Sequence, residues 1–144
     1  MKMNKKGFTL IELLAVIVIL AIIALIATPI VMNLITKARK SAAEDSAYGL
    51  VKAAETNYAE ALLDNQGDGY VATDFICNSS SAEGVCASFD KDGKKVDELE
   101  FNGTKPSAGT VSIDEDGKVT LTGIIINTYE IVQNSDGTLK VKAD

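Results

Sequence analysis

The sequence predicts an α+β protein in which one long N-terminal α-helix precedes an antiparallel β-sheet. The first observation behind this prediction is an uncharged run from Leu13 to Ile35 that consists mostly of Leu, Ile and Val. The second is a helical spacing of apolar residues that continues to about residue 64. The third is a series of short alternating segments, separated by Gly-containing turns, over residues 97–144.

Composition narrows the class of function. The chain of 144 residues suits one domain, carries a formal net charge of -6 and contains no His. Without imidazole, the usual catalytic triads and the commonest general base are unavailable. The acidic balance disfavours a nucleic-acid-binding surface, which gathers Lys and Arg on one face. We therefore expect a protein that is not an enzyme and that has no cofactor, no metal site and no specific nucleic-acid partner.

The N-terminal segment begins with a basic stretch, residues 1–7, which contains three Lys. Residues 8–36 follow, and their uncharged part exceeds the roughly 20 residues that a helix needs to cross a hydrocarbon core. We expect this segment to form a membrane-spanning helix. Glu12 lies at its edge, where an ionisable side chain is costly enough to indicate a functional role. The alternative is that Glu12 only extends to the lipid headgroups beside an ordinary signal anchor.

The helix is expected to continue as an amphipathic helix from residue 37 to about residue 64. Apolar residues recur there at steps of three and four, and a cluster of Asp, Asn and Gly over residues 64–69 favours an end to the helix. Gly49 lies inside this segment and costs about 1 kcal/mol relative to Ala. Close helix packing and simple tolerance are both compatible with it.

The rest of the chain is expected to contain loops and then strands. Residues 65–96 show no clear period and are predicted to be a loop region, whereas residues 97–144 are predicted to form the antiparallel sheet, with hairpin turns at 114–117 and 134–137. Asp-rich turns at 90–93 and 114–117 resemble calcium loops only in part, because neither has a Glu at the required later position. Because the apolar segment indicates export, Cys77 and Cys86 are expected to form a disulfide that closes a loop of about ten residues.

The stretch Lys5-Lys6-Gly7-Phe8-Thr9-Leu10-Ile11-Glu12-Leu13, leading into an uncharged helix, resembles the processing site of type IV prepilins. Its short charged leader and its Phe look like the type IVa subgroup. The resemblance implies that residues 1–7 are a leader peptide, removed by a prepilin peptidase that cleaves between Gly7 and Phe8 and methylates the new N-terminus. It also implies a type IV pilin-like fold, with a pilin domain over residues 37–144.

The same resemblance implies a function. The precursor would cross the cytoplasmic membrane once, in contact with lipid, and an assembly platform with its ATPases would polymerise the mature chain with copies of itself. The product would be an extracellular pilus for adhesion, surface motility or biofilm formation. Glu12 would pair with the amino group of Phe8 in a neighbouring subunit and set the register of assembly, although the sequence leaves pairing within one chain open.

Pro29 removes the helical hydrogen bond to the Leu25 carbonyl. A proline here accompanies helix distortion in pilus filaments, so the resemblance assigns that role to Pro29, and an ordinary membrane-helix proline is the alternative. The chain departs from many pilins because its C-terminal strands contain no Cys, which is more typical of Gram-positive members. Pseudopilins of type II secretion or competence systems share the N-terminal motif and remain an alternative, as does a membrane-anchored binding module that never polymerises.

Overall fold

The computed structural model describes residues 7–64, 69–78 and 85–142. In this part of the chain one helix, α1, is followed by strands, and clustering of contacts separates two compact units, Met1–Ala38 and Arg39–Asp144. The elements are α1 (Leu10–Asp64), β1 (Thr73–Asn78), β2 (Val85–Phe89), β3 (Lys95–Glu98), β4 (Ala108–Ile113), β5 (Val119–Ile126), β6 (Tyr129–Gln133) and β7 (Leu139–Val141). The predicted α+β class, with a long helix followed by an antiparallel sheet, is confirmed.

The strands of the second unit form one antiparallel sheet in the order β3-β2-β1-β4-β5-β6-β7. Strands β4 to β7 are joined in succession by hairpins. The turns at 114–117 and 134–137 lie where the sequence predicts them. The β5–β6 hairpin was not predicted: it turns through Asn127 (φ 51°) and Thr128 (φ 73°). Two successive positive φ angles match the twist of a two-residue hairpin turn.

The core of the second unit lies between the sheet and the C-terminal part of α1. Four helix residues, Ala43, Ala47, Leu50 and Ala54, are completely buried, and they recur at steps of four and three because one face of the helix meets the sheet. Fully or almost fully buried side chains of the sheet pack into the same cluster, namely Phe75, Val111, Ile113, Ile124 and Ile126. Since three of the four buried helix residues are Ala, the helix backbone can lie close to the sheet.

Polar side chains of α1 also bind the outer edge of β7. Tyr48 Oη accepts a hydrogen bond from the Leu139 N–H (3.0 Å), and Glu44 Oε1 accepts one from the Val141 N–H (2.9 Å). These two N–H groups point away from β6, because the N–H of Lys142, next in the alternation, donates to the β6 side of the ladder at the Glu130 carbonyl. The helix therefore supplies the partners that an eighth strand would supply.

The segment that follows β3 lies directly on α1. A Cβ atom added at Gly49 would be 2.9 Å from the Asn102 carbonyl oxygen. Three residues earlier on the helix, Ser46 Oγ accepts a hydrogen bond from the Thr104 N–H (3.0 Å) and donates one to the Ala42 carbonyl (2.8 Å). Of the two interpretations of Gly49, close packing is the one that the structure supports.

The prediction of a loop region over residues 65–96 was wrong, because β1 and β2 occupy much of it. In β1 Phe75 and Cys77 are buried while Ile76 between them is half exposed, so an apolar residue on the outer face conceals the alternation. In β2 the three successive residues Cys86, Ala87 and Ser88 are all buried, which removes the period altogether. Strand β3 begins at Lys95, two residues before the range 97–144 that was predicted for the sheet.

Candidate functional site

The segment around the expected cleavage point precedes the helix. Gly7, Phe8 and Thr9 are not helical, and α1 begins at Leu10. Phe8 is 90% exposed, and nothing lies within 4 Å of the position where Gly7 would carry a Cβ. The bond between Gly7 and Phe8 is therefore accessible, non-helical backbone of the kind that a peptidase requires. The other leader residues, 1–6, lie outside the described residues.

Glu12 closes the first turn of α1 through a capping box with Thr9. The Glu12 carboxylate oxygen Oε2 accepts hydrogen bonds from the Thr9 N–H (2.8 Å) and from the Thr9 hydroxyl (2.7 Å). In return, the Glu12 N–H donates to Thr9 Oγ1 (3.3 Å). Thr9 stands at the N-cap and Glu12 three residues later, which is the Thr-x-x-Glu pattern that satisfies two free backbone donors at once. The Thr-x-x-Glu pattern is visible in the sequence, but the charge of Glu12 at a membrane edge does not by itself indicate it.

The capping box defines what Glu12 can still bind. Both bonds that the carboxylate accepts end on Oε2, and in the described part of the chain no hydrogen bond reaches Oε1. A carboxylate has acceptor capacity for more partners than Thr9 provides. Cleavage after Gly7 would create an ammonium group at Phe8, one residue before the cap. The pairing of Glu12 with such a group stays a prediction, and the geometry leaves one oxygen open for it.

Beyond Glu12 the helix is apolar on all sides. From Leu13 through Thr36 there is no charged residue, and the large apolar side chains of this stretch are all exposed. At 1.5 Å per residue these 24 residues extend about 36 Å, enough for a hydrocarbon core about 30 Å thick. Among the described residues, α1 is long and apolar enough to cross a membrane. A helix with no polar face is stable only in lipid or inside an assembly.

Pro29 lies within this apolar stretch, and α1 is continuous through it. One residue earlier, the Thr28 hydroxyl donates a hydrogen bond to the Ala24 carbonyl (2.7 Å). This bond reaches the Ala24 carbonyl, next to the Leu25 carbonyl that Pro29 leaves without its helical donor. No local melting is present at Pro29 in this structure, and distortion within a filament stays a prediction.

Cys77 and Cys86 belong to the second unit and stand opposite each other on β1 and β2. Their sulfur atoms are joined in a disulfide, and both residues are buried on the core side of the sheet. The bridge closes the β1–β2 connection, whose residues 79–84 are not described. It lies in a different unit from Gly7, Phe8, Glu12 and Pro29, so its contribution is to the stability of the sheet.

The Asp-rich turns use their carboxylates internally. Asp114 Oδ1 accepts hydrogen bonds from the N–H groups of Asp116 (3.1 Å) and Lys118 (2.7 Å). Asp90 repeats this arrangement in the β2–β3 turn, with its Oδ1 accepting from the residues two and four positions later. These are the local side-chain bonds that Asp makes in tight turns. The described residues contain no group of three or more His, Cys, Asp or Glu side chains arranged to hold a metal ion.

Taken together, a non-helical segment at the expected cleavage point, a capped helix start and an uncharged span are typical of a membrane-anchored subunit of the type IV pilin-like class. The family profile described as "Prokaryotic N-terminal methylation motif" matches residues 2–28. The chain is 37% identical over 82 residues to the Competence protein ComGC of Bacillus subtilis (strain 168), in a match that covers 52% of this chain and 83% of that protein. The chain belongs to the type IV pilin-like family that includes ComGC. No solved structure gives a significant match.

This family membership points to a structural subunit that is processed by a prepilin peptidase and polymerises with itself. Together with the apolar helix, it supports a membrane-anchored precursor. The Gram-positive relative agrees with the absence of Cys from the C-terminal strands.

Proposed function

We propose that this chain is the structural subunit of a type IV pilus, cleaved between Gly7 and Phe8, methylated at Phe8 and assembled into a filament outside the cytoplasmic membrane. The observation that carries the proposal is the uncharged, outward-facing apolar surface of α1 from Leu13 to Thr36. When this helix leaves lipid it must be buried again, and copies of the same helix provide the matching surface. A filament with these helices inside and the second unit outside meets that requirement.

Glu12 supports the same proposal. Its carboxylate is held at the start of the apolar surface by Thr9, with one oxygen open. A carboxylate taken into a helix core is stable only with a partner, because an unpaired charge in apolar surroundings costs several kcal/mol. The ammonium of Phe8 in a neighbouring subunit is such a partner. Cleavage would therefore both remove the basic leader and create the group that Glu12 binds.

Mass spectrometry of filaments sheared from cells tests the proposal. We expect a dominant chain that begins at N-methylated Phe8. A Glu12→Ala chain should be inserted and cleaved normally but yield few filaments, whereas Glu55→Ala, which removes an exposed carboxylate from the same helix, should yield normal filaments. Retention of the leader in mature material, or full filament yield with Glu12→Ala, would refute the proposal.

A second candidate function is a competence pilus or pseudopilus, and the likeness to the Competence protein ComGC favours it. The subunit chemistry would be the same, and only the use of the filament would differ. Deletion of the gene separates the two: loss of transformation with normal surface motility and adhesion assigns the filament to competence, and the opposite result assigns it to the type IV pilus proper. Loss of protein secretion would indicate a type II secretion pseudopilin.

A further inference from the structure

The second unit contains an acidic groove between α1 and the chain from the end of β3 to Asn102. Its volume is about 820 Å³, and polar and apolar side chains from both sides line it. Five carboxylates belong to the lining: Glu60 and Asp64 come from the helix, Asp97 and Glu98 from β3, and Glu100 from the segment that follows β3. Separate elements of the second unit thus contribute negative charge to the same groove.

Local contacts neutralise only part of this charge. Glu98 pairs with Lys95, while Lys52, the basic residue among the described lining, pairs with Glu55 (3.2 Å). Asp97 Oδ2 accepts a hydrogen bond from the neutral side-chain amide of Asn57 (Nδ2–Oδ2 distance 2.6 Å). For the other three carboxylates, no Lys or Arg of the described chain lies within ion-pair distance. The groove therefore keeps a surplus of negative charge that a cationic group would relieve.

The same chain carries a matching cationic segment. Lys37, Arg39 and Lys40 place three positive charges within four residues, with no acidic residue among them. Within the described residues none of the three is in an ion pair, and Lys40 lies 5.8 Å from the ring centre of Tyr129. Within the described residues, three carboxylates of the groove and the three cations of the basic segment thus have no partner of opposite charge.

The basic segment cannot reach the groove of its own chain. Along the continuous helix α1, Arg39 lies 10 residues from Gly49 at the near end of the groove and 21 residues from Glu60, which at 1.5 Å per residue is about 15 Å and about 30 Å. An ion pair requires a separation of about 4 Å. Only another molecule can bring these groups together.

The net charge of the mature chain favours such a contact in an assembly. Without its leader the chain has 11 basic and 20 acidic side chains, a net charge of -9. Identical subunits with that charge repel one another unless their few cations lie against carboxylates. A cluster of three cations beside the apolar span is well placed for this, since it enters the assembly together with the helix.

We propose that the acidic groove binds the basic segment, Lys37 to Lys40, of a second copy of this chain. The inference rests on the proposed function and adds to it a specific contact between subunits. The two surfaces differ, so the contact is heterologous and repeats without closing, as an open filament requires. The two copies are displaced by about 15–30 Å along the helix axis, depending on which part of the groove the basic segment occupies. The aliphatic stems of the incoming Lys side chains pack on the apolar part of the groove wall, where Phe101 lies.

Charge reversal in filament-forming cells tests the contact. One variant carries Arg39→Glu and Lys40→Glu, a second carries Glu60→Lys and Glu100→Lys, and a third combines all four changes. We expect each double variant to lower the yield of sheared filaments about tenfold or more, because the repulsion recurs at every subunit. The combined variant should restore at least half of the yield. A control, Glu115→Lys with Asp116→Lys, makes the same change of charge in the exposed β4–β5 turn and should leave the yield unchanged.

The outcomes separate this inference from the proposed function. Membrane level and cleavage of each precursor are measured by immunoblot, so that a folding or processing defect is recognised. Normal yield from the double variants overturns the groove contact while wild-type filaments still support the pilus function. Loss of yield without rescue in the combined variant also overturns it, and indicates lipid headgroups as the partner of the basic segment. If wild-type cells form no filaments, both proposals fall.

Discussion

Replacing Gly49 by Ala has two opposing effects on the free energy of unfolding of the second unit. In a helix interior Ala is favoured over Gly by about 1 kcal/mol. In this structure, however, the new Cβ would lie 2.9 Å from the Asn102 carbonyl oxygen. That oxygen belongs to backbone, and the neighbouring Thr104 N–H is tied to Ser46, so the segment cannot move away freely. Overpacking of this kind typically costs about 1–3 kcal/mol. We expect the steric cost to exceed the propensity gain and Gly49→Ala to destabilise the second unit by about 1 kcal/mol.

Urea unfolding of the full mature chain in detergent micelles measures this effect, with tyrosine fluorescence as the signal, because all four Tyr residues belong to the second unit. A loss of about 1 kcal/mol lowers the midpoint by roughly 0.3–1 M for the usual range of urea dependence. The control is Ala59→Gly, at an exposed position of the same helix. It measures the difference in helix propensity between Ala and Gly without a packing effect and should lower the free energy of unfolding by about 1 kcal/mol. A raised midpoint for Gly49→Ala would show that the packing argument is wrong.

Three further predictions concern the second unit. Leu50→Ala, at a completely buried position, should lower the free energy of unfolding by about 2–5 kcal/mol, whereas Leu63→Ala, at a position that is 80% exposed, should change it little; urea titration compares them. Burial raises the pKa of the Tyr70 hydroxyl, because it disfavours the charged form. The stability that depends on neutral Tyr70 is therefore fully present below about pH 10 and is lost as the pH rises through the pKa of the folded state. Tyr70→Phe should therefore weaken the loss of stability above pH 10, as measured by unfolding at a series of alkaline pH values. Replacing Cys77 and Cys86 together by Ala should destabilise by on the order of 2–3 kcal/mol and abolish the effect of a reducing agent on the unfolding midpoint.

The sequence predicted those parts of the fold in which one face of an element is apolar. The helix of the second unit has its buried Ala43, Ala47, Leu50 and Ala54 at helical spacing, and the C-terminal hairpins alternate with Gly-containing turns between them. These patterns depend on neighbours in the chain, so a single sequence contains them. The position of β1 between β2 and β4 depends on pairing between distant segments, which no local pattern records.

The strands β1 and β2 and the capping residue Thr9 were not predicted, and each omission has a local physical reason. Ile76 is apolar but faces outward, and β2 is buried on both faces, so neither strand shows the expected alternation. At the candidate site, the positions of Gly7, Phe8 and Glu12 could be recognised from charge and apolarity. The capping partner Thr9 was missed because Glu12 was considered only as a charge in need of a cation, although a neutral hydroxyl and a backbone N–H already bind one of its oxygens within one turn.

The hydrogen bonds from β7 to Glu44 and Tyr48 bear on aggregation, which is a risk for any protein present at high local concentration. A sheet whose outermost strand has free N–H groups is a template for strand addition, and the usual product is amyloid-like aggregation. Here two N–H groups on that side are already bound to side chains of the helix. Addition of a further strand at β7 is therefore blocked at these two positions, and the edge of the sheet is protected from pairing with the edge of another copy.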